Sequence, residues 1–513
     1  MKVFIFAIGG TGARALRALS FCLASGMYDV SKDTEFVPII IDYDATNGDK
    51  TRAREALEDY MSIHDAAYEM KDIEIKPEYR NFFLPRVSYL QDVATRDGRA
   101  SNLGRTFEFT FNGATSDTKG TFAEYLGLQN MTGDKYLTAD LLKALYNDAD
   151  VTDPDYAYTE LNLDLSVGFK GNPNIGTVVF DKLSASPEYK VFEQSFVPGE
   201  DRAFIIGSIF GGTGSSGIPQ LIKALRNNSI TGWNNAAVGA AIVMPYFKVD
   251  TPATGGAVNS NIFKSKQKAA LDYYLQRKGE LNLSASYYIA EQDALQTTLE
   301  YHEGDDSQRN NAHIVELLTA LSILDFTKTD KSSFRGDSME FGLKNDFGGR
   351  QDPLQLKNFG EATKTLFLDP LVRFGLAGKY FKDYLCTNKR DNSLAYINAM
   401  ALTDKLSAGL YATYNSFIIK MFDWLKEMNL QEHPFYPLLV EAENLDTMVS
   451  GFKDDSGFLS DNADYKGFNA ICNTQYNKHF GKDSNINRNK LQLFIKLLYE
   501  TSIKIYEKYK AKK

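Results

Sequence analysis

Two glycine-rich stretches carry the residue types best suited to chemistry. In "IIGSIFGGTGSSGIPQLIKAL", residues 205–225, an apolar run passes into Gly211, Gly212, Thr213, Gly214 and Ser215 and then into an amphipathic helical pattern. Such a turn exposes backbone N–H groups where the helix dipole is also positive, so an anion such as a phosphate is its natural guest. A tight strand-to-helix turn without a ligand is the plainer alternative. The opening "MKVFIFAIGGTGARALRAL" repeats the arrangement: an apolar run over 3–8, a turn of Gly9, Gly10, Thr11 and Gly12, and a helix from Ala13. "EFVPIIIDYDATNGDKTRA" then supplies a second strand that ends at Asp42 and Asp44. Carboxylates there suit either a dinucleotide's ribose or a Mg²⁺ ion.

The elements that must position these residues follow from hydrophobic pattern. Strand, turn and helix alternate over the first 60 residues, which is the start of a parallel sheet with helices on its faces. The stretch 105–201 is irregular and reads as a long insertion. Its turn cluster "GFKGNPNIGT", 168–177, reads as a surface excursion, with a ligand loop as the alternative. Regular order resumes at Ala203, continues through "AAVGAAIVMPYF" and "ASYYIAEQDAL", and reaches "NNAHIVELLTALSILDF", 310–326. That segment is apolar around much of its girth, so a helix running through the middle of the molecule is expected. This divides the chain into 1–309, a central helix at 310–326, a second α+β domain at 327–440 and a helical C-terminal region at 441–513.

Composition bounds the function. The 513 residues are 43% hydrophobic and 24% charged, ordinary globular material for two or more domains. No apolar run reaches the ~18–20 residues of a membrane helix, and no export signal is read at the start, so a cytoplasmic protein without a membrane span is expected. A net charge of −9 argues against nucleic acid as the main partner. Cys22, Cys386 and Cys472 are too scattered for a disulfide framework or zinc site and read as buried thiols.

With these motifs placed, residues 1–330 resemble the tubulin/FtsZ superfamily, as a divergent bacterial tubulin-like protein. "GGTGSSG" is similar to that superfamily's GGGTGSG signature, with Phe210 for its first glycine and Ser216 for its last. "AIGGTGARAL" resembles its first phosphate loop, and "VPIIIDYDATNGDKTR" its second strand and loop. "IVMPYF" resembles the strand after the signature helix, "YYIAEQDAL" the next one, and "NNAHIVELL" the start of the central helix. The resemblance implies an α/β parallel-sheet GTP-binding domain with a long central helix. It also implies GTP/GDP and Mg²⁺ as cofactors, with Asp42 and Asp44 at the metal and Gln292, Asn310 and Asn311 reading guanine. "RASNLGR" is read as a third phosphate loop, with Arg99 or Arg105 near the γ-phosphate or else as an ordinary surface arginine. His313 is read as a structural contact rather than a base.

The family's Asn-x-Asp activating loop, which completes the next subunit's site, has no match. "TKTDKSSFRGDSMEF" offers only Asp330 and Asp337 as catalytic carboxylates. The implied function is therefore a self-assembling, cytoskeleton-like GTP-binding protein whose GTPase activity is weak or absent. One alternative is a non-polymerising nucleotide-binding module that signals to a protein partner from the same operon. The other is a nicotinamide oxidoreductase, which leaves the second glycine turn unexplained.

Overall fold

The computed structural model describes residues 1–27, 34–44, 47–68, 80–99, 102–109, 120–146, 160–228, 230, 232–249, 260–291, 297–299, 310–334, 338–340, 353–400, 409–443, 445, 447–449, 465–479 and 490–510. The longest strands are continuous apolar runs: β1 (Lys2–Ile8), β2 (Glu35–Ile41), β5 (Arg202–Ser208) and β6 (Ala237–Val243). Runs of this kind are what a parallel strand buried on both faces requires. With β3 (Arg86–Val87), β4 (Glu108–Phe109), β8 (Ala285–Ile289) and β10 (Ser338–Glu340) they form one sheet in the order β3-β2-β1-β5-β6-β8-β10. Strand β4 pairs with the far end of β2, and every pairing in the sheet is parallel. A separate pair joins β7 (Phe247–Val249) to β9 (Thr297–Leu299).

Alternation along the strands divides the core into two layers. Val3, Ile5, Ala7, Phe204 and Ile206 face one cluster, and Phe4, Phe6, Ile8, Ala203 and Ile205 face the other. The first cluster holds α1 (Gly9–Ala24), α2 (Gly48–Tyr68), the central helix Ile314–Lys328 and the C-terminal helices. The second holds the helices Pro173–Phe180 and Pro187–Ser195 and the signature helix Gly212–Arg226. Residues of the 105–201 insertion thus form part of the layer over the second face.

The central helix starts at Ile314 and carries buried residues on all sides, Leu317, Ala320, Ile323, Leu324 and Phe326 among them. It is the apolar girth of the sequence realised: α1 lies along it and β6 and β8 lie under it. Past Lys328 the described residues are mainly helical, and β10 extends the main sheet beside β8. Beyond isolated bridges at Leu354–Phe435 and Leu438–Val449, no second sheet forms there among the described residues. Helix Leu410–Asn429 packs on α2 instead, joining the C-terminal half to the first cluster. Cys22 and Cys472 are buried as expected, but Cys386 is exposed, because the helical run it follows ends at Leu385. Among the described residues no helix is long and apolar enough to cross a membrane.

Candidate functional site

Strand order reverses direction of growth between β1 and β5. In an open parallel sheet this opens a crevice outside the carboxyl ends of the two strands, the usual place for a ligand. Both glycine turns flank it. Gly9 leaves β1 with φ +73°, a conformation that glycine adopts without strain. A Cβ on it would lie 3.5 Å from Thr213 Cβ and 3.7 Å from the Gly214 nitrogen, so the two turns are in contact. Gly214 sits so close to β5 that a Cβ would fall 2.4 Å from the Ser208 carbonyl oxygen. Ser215 donates its hydroxyl to the Gly211 carbonyl, and the N–H groups that this helix start leaves without an intrahelical partner are those of residues 211–214.

A third segment joins them. A Cβ on Gly212 would be 2.8 Å from Phe169 Cβ and 3.1 and 3.2 Å from the nitrogens of Gly171 and Asn172. The Phe169 ring lies 5.0 Å from Tyr43, between Asp42 and Asp44, and Lys266 Nζ donates to the Gly171 carbonyl at 2.5 Å. The "GFKGNPNIGT" cluster therefore lies against the signature turn and is not a remote surface excursion. The Asn-Pro step within it starts helix Pro173–Phe180. The arginines read as a third phosphate loop are engaged elsewhere. Arg105 is exposed, pairs with Asp92 at 2.9 Å and lies over the Tyr89 ring, and Arg99 pairs with Asp97 at 3.7 Å.

Beside the turns, Asp42 and Asp44 are buried at the end of β2. Asp42 Oδ1 accepts from the Asp44 N–H at 3.2 Å. Lys50 donates to the Asp44 carbonyl at 2.6 Å and pairs with Glu108 at 3.3 Å. Asn47 caps α2, its Oδ1 accepting from the Asp49 and Lys50 N–H groups, and its Nδ2 would lie 3.3 Å from a Cβ on Gly10. Burial pushes the Asp42 carboxyl up to about 7, with the Lys50 charge opposing and the Asp44 charge assisting. An incompletely compensated buried carboxyl of this kind suits a cation. No group of three or more His, Cys, Asp or Glu side chains among the described residues forms a metal cage. Mg²⁺ takes one or two carboxylates and fills its shell with water and phosphate oxygens, and two buried carboxylates are compatible with that donor set.

Along the same edge of the sheet, beyond β6, Tyr246 lies 5.1 Å from the His313 ring, and Arg14 lies over its own ring. Asn310, partly exposed, and Asn311, exposed, precede the central helix. Gln292 and Asp337 lie outside the described residues. His313 is the helix cap: its Nδ1 accepts from the Val315 N–H at 3.1 Å, the structural role expected of it. Burial lowers its titration to about 4, and acceptance at Nδ1 requires the neutral ring.

The unfolded chain binds this proton from pH ~6.5 downward and the folded one only near 4, so stability is lost as pH falls through that window. Urea unfolding of His313→Asn, which keeps a capping oxygen, is expected to lose about 1.4 kcal/mol less per pH unit there than wild type. Equal slopes would mean that His313 does not titrate as its burial implies. Asp42 and Glu316, both pushed up to about 7 by burial, tilt the other way in both proteins.

Asp330 lies at the opposite end of the sheet. It follows the C-terminus of the central helix, and the neighbouring Lys331 reaches the Gly199 carbonyl ahead of β5. The length of β5 separates it from the glycine turns, about 20 Å at ~3.3 Å per residue. Its Oδ1 already accepts from the Ser332 N–H at 2.8 Å and from the Ser332 hydroxyl at 2.7 Å. No family model and no curated protein matches the chain.

Proposed function

We propose that this chain is a tubulin-like guanine-nucleotide-binding protein that holds its nucleotide with Mg²⁺ in the β1/β5 crevice, self-associates, and hydrolyses GTP slowly by itself. The observation that carries the reading is the convergence of residues 9–12, 211–215 and 168–172 on one spot beside two buried aspartates. Three turns rich in backbone N–H groups suit a chain of phosphates better than a single anion. Asp42 and Asp44 hold the metal against the phosphate oxygens, and the amides of Asn310 and Asn311 read the base further along the edge.

The strand order alone is shared with dinucleotide-binding sheets. What favours a nucleoside triphosphate over a nicotinamide cofactor is the second glycine turn and the loop packed on it. Calorimetric titration with GTP, ATP and NAD in the presence of Mg²⁺ tests the reading: GTP is expected to bind tightest. Tighter binding of NAD than of GTP would overturn it.

A further inference from the structure

The stretch just ahead of the central helix is gripped from three directions. Arg52 of α2 donates to the Asn310 carbonyl at 2.5 Å, and Arg14 of α1 donates to the Asn311 carbonyl at 2.5 Å. Glu427, on helix Leu410–Asn429, accepts from the Ala312 N–H at 3.0 Å. Gln431, just past that helix, donates to the Ala312 carbonyl at 2.8 Å. The gripping groups lock one another. Glu427 pairs with Arg17 and with Arg52 at 2.8 Å each, Arg14 pairs with Glu316 at 2.5 Å, and Arg52 also bonds Asp49.

Burying so many charges costs several kcal/mol per ion before the pairing offsets it. A connecting segment ordinarily satisfies its backbone with water or with neutral partners. The helix start does not need this grip, since His313 already caps it. All four contacts fall on the backbone of residues 310–312 and leave the Asn310 and Asn311 side chains outside the grip.

We infer that Arg14, Arg52, Glu427 and Gln431 form a clamp that sets which base is read, by holding the backbone of 310–312 so that the two asparagine amides meet the base edge in one geometry. The inference rests on the reading of the crevice as a guanine-nucleotide site. An asparagine amide carries one acceptor and two donors, so a small rotation of its backbone exchanges the pattern it presents. A site held within about 0.5 Å discriminates, and a looser one does not. Glu427 and Gln431, 115 and 119 residues beyond Ala312, are then positioning residues for base choice contributed by the C-terminal half of the chain.

The test uses the full chain and three probes: GTP, ATP and inorganic tripolyphosphate, each with Mg²⁺. Gln431→Met removes one donor and keeps the volume. Glu427→Gln leaves one accepting oxygen where the carboxylate serves Ala312, Arg17 and Arg52 with two. Each is expected to weaken GTP binding about tenfold and to leave the tripolyphosphate affinity unchanged, so that the preference for GTP over ATP collapses. Lys420→Met is the control, because it breaks the pair with Asp59 at 2.8 Å on the same helix-to-α2 interface without touching the clamp. It is expected to change none of the three affinities.

Equal weakening of GTP and tripolyphosphate in the clamp variants would show a merely structural role and overturn the inference. So would an undiminished GTP preference in folded Gln431→Met. A wild-type protein that binds tripolyphosphate without preferring GTP to ATP would instead remove the guanine reading, and the clamp's assignment with it.

Discussion

Replacing Gly212 by valine is expected to abolish nucleotide binding, raising the Kd for GTP more than ~100-fold while the chain still folds. The cause is space. Gly212 lies outside the left-handed region, but a Cβ there would come within 2.8 Å of Phe169 Cβ and within 3.2 Å of two backbone nitrogens. Valine's methyl groups need more room still, so residues 168–172 must retreat from the signature turn and carry their N–H groups with them. A hydrogen bond to a charged oxygen is worth about 1.5–3 kcal/mol, so two lost donors account for the expected fall. Gly279→Val, where a Cβ meets nothing within 4 Å, is the matched control and should bind as wild type does. Calorimetry with circular dichroism as a fold check decides it. Unchanged affinity in a folded Gly212→Val protein would place the ligand outside the β1/β5 crevice.

What the sequence shows and what it hides follows from the range of the forces involved. β1 with its turn and α1, and β5 with its turn and the signature helix, are legible because a buried parallel strand must be an apolar run and a sharp exit needs glycine. The central helix is legible because an all-round apolar pattern over 15 residues leaves it only the interior. The approach of residues 168–172 to Gly212 is a tertiary contact across about 40 residues of chain, and local composition at 168–177 looks the same for a ligand loop as for any exposed turn. Arg105 shows the converse: an arginine beside a glycine suits a phosphate or a surface ion pair alike, and only the fold brings Asp92, 13 residues away, against it. The grip of Glu427 on Ala312 has no local signature at all. A glutamate in an amphipathic helix reads as solvent-facing until the fold brings Arg17 and Arg52 against it.

The position of Asp330 leads to the second large effect. The central helix runs from the glycine-turn end of the sheet to the Asp330 end, opposite in direction to β5, and spans about 22 Å at 1.5 Å per residue. Asp330 is thus out of reach of a ligand in its own chain's β1/β5 crevice, and under the proposed function its carboxylate serves the nucleotide of a second copy stacked head to tail. A contact between two different faces does not close on itself unless rotation brings it round, so it builds filaments or rings rather than two-fold dimers. GTP with Mg²⁺ is therefore expected to convert monomers into open-ended oligomers, seen as a rise in light scattering and as filaments in negative stain. The Ser332 bonds hold the Asp330 carboxylate below the usual range, which makes it a poor proton acceptor. Phosphate release is accordingly expected to be slow, to climb faster than linearly with protein concentration, and to fall by about 10²-fold or more in an Asp330→Ala, Asp337→Ala double variant that still assembles. A species that stays monomeric or two-fold dimeric at high concentration, indifferent to GTP and Mg²⁺, would make the protein a nucleotide-binding interaction module and remove the filament from its function.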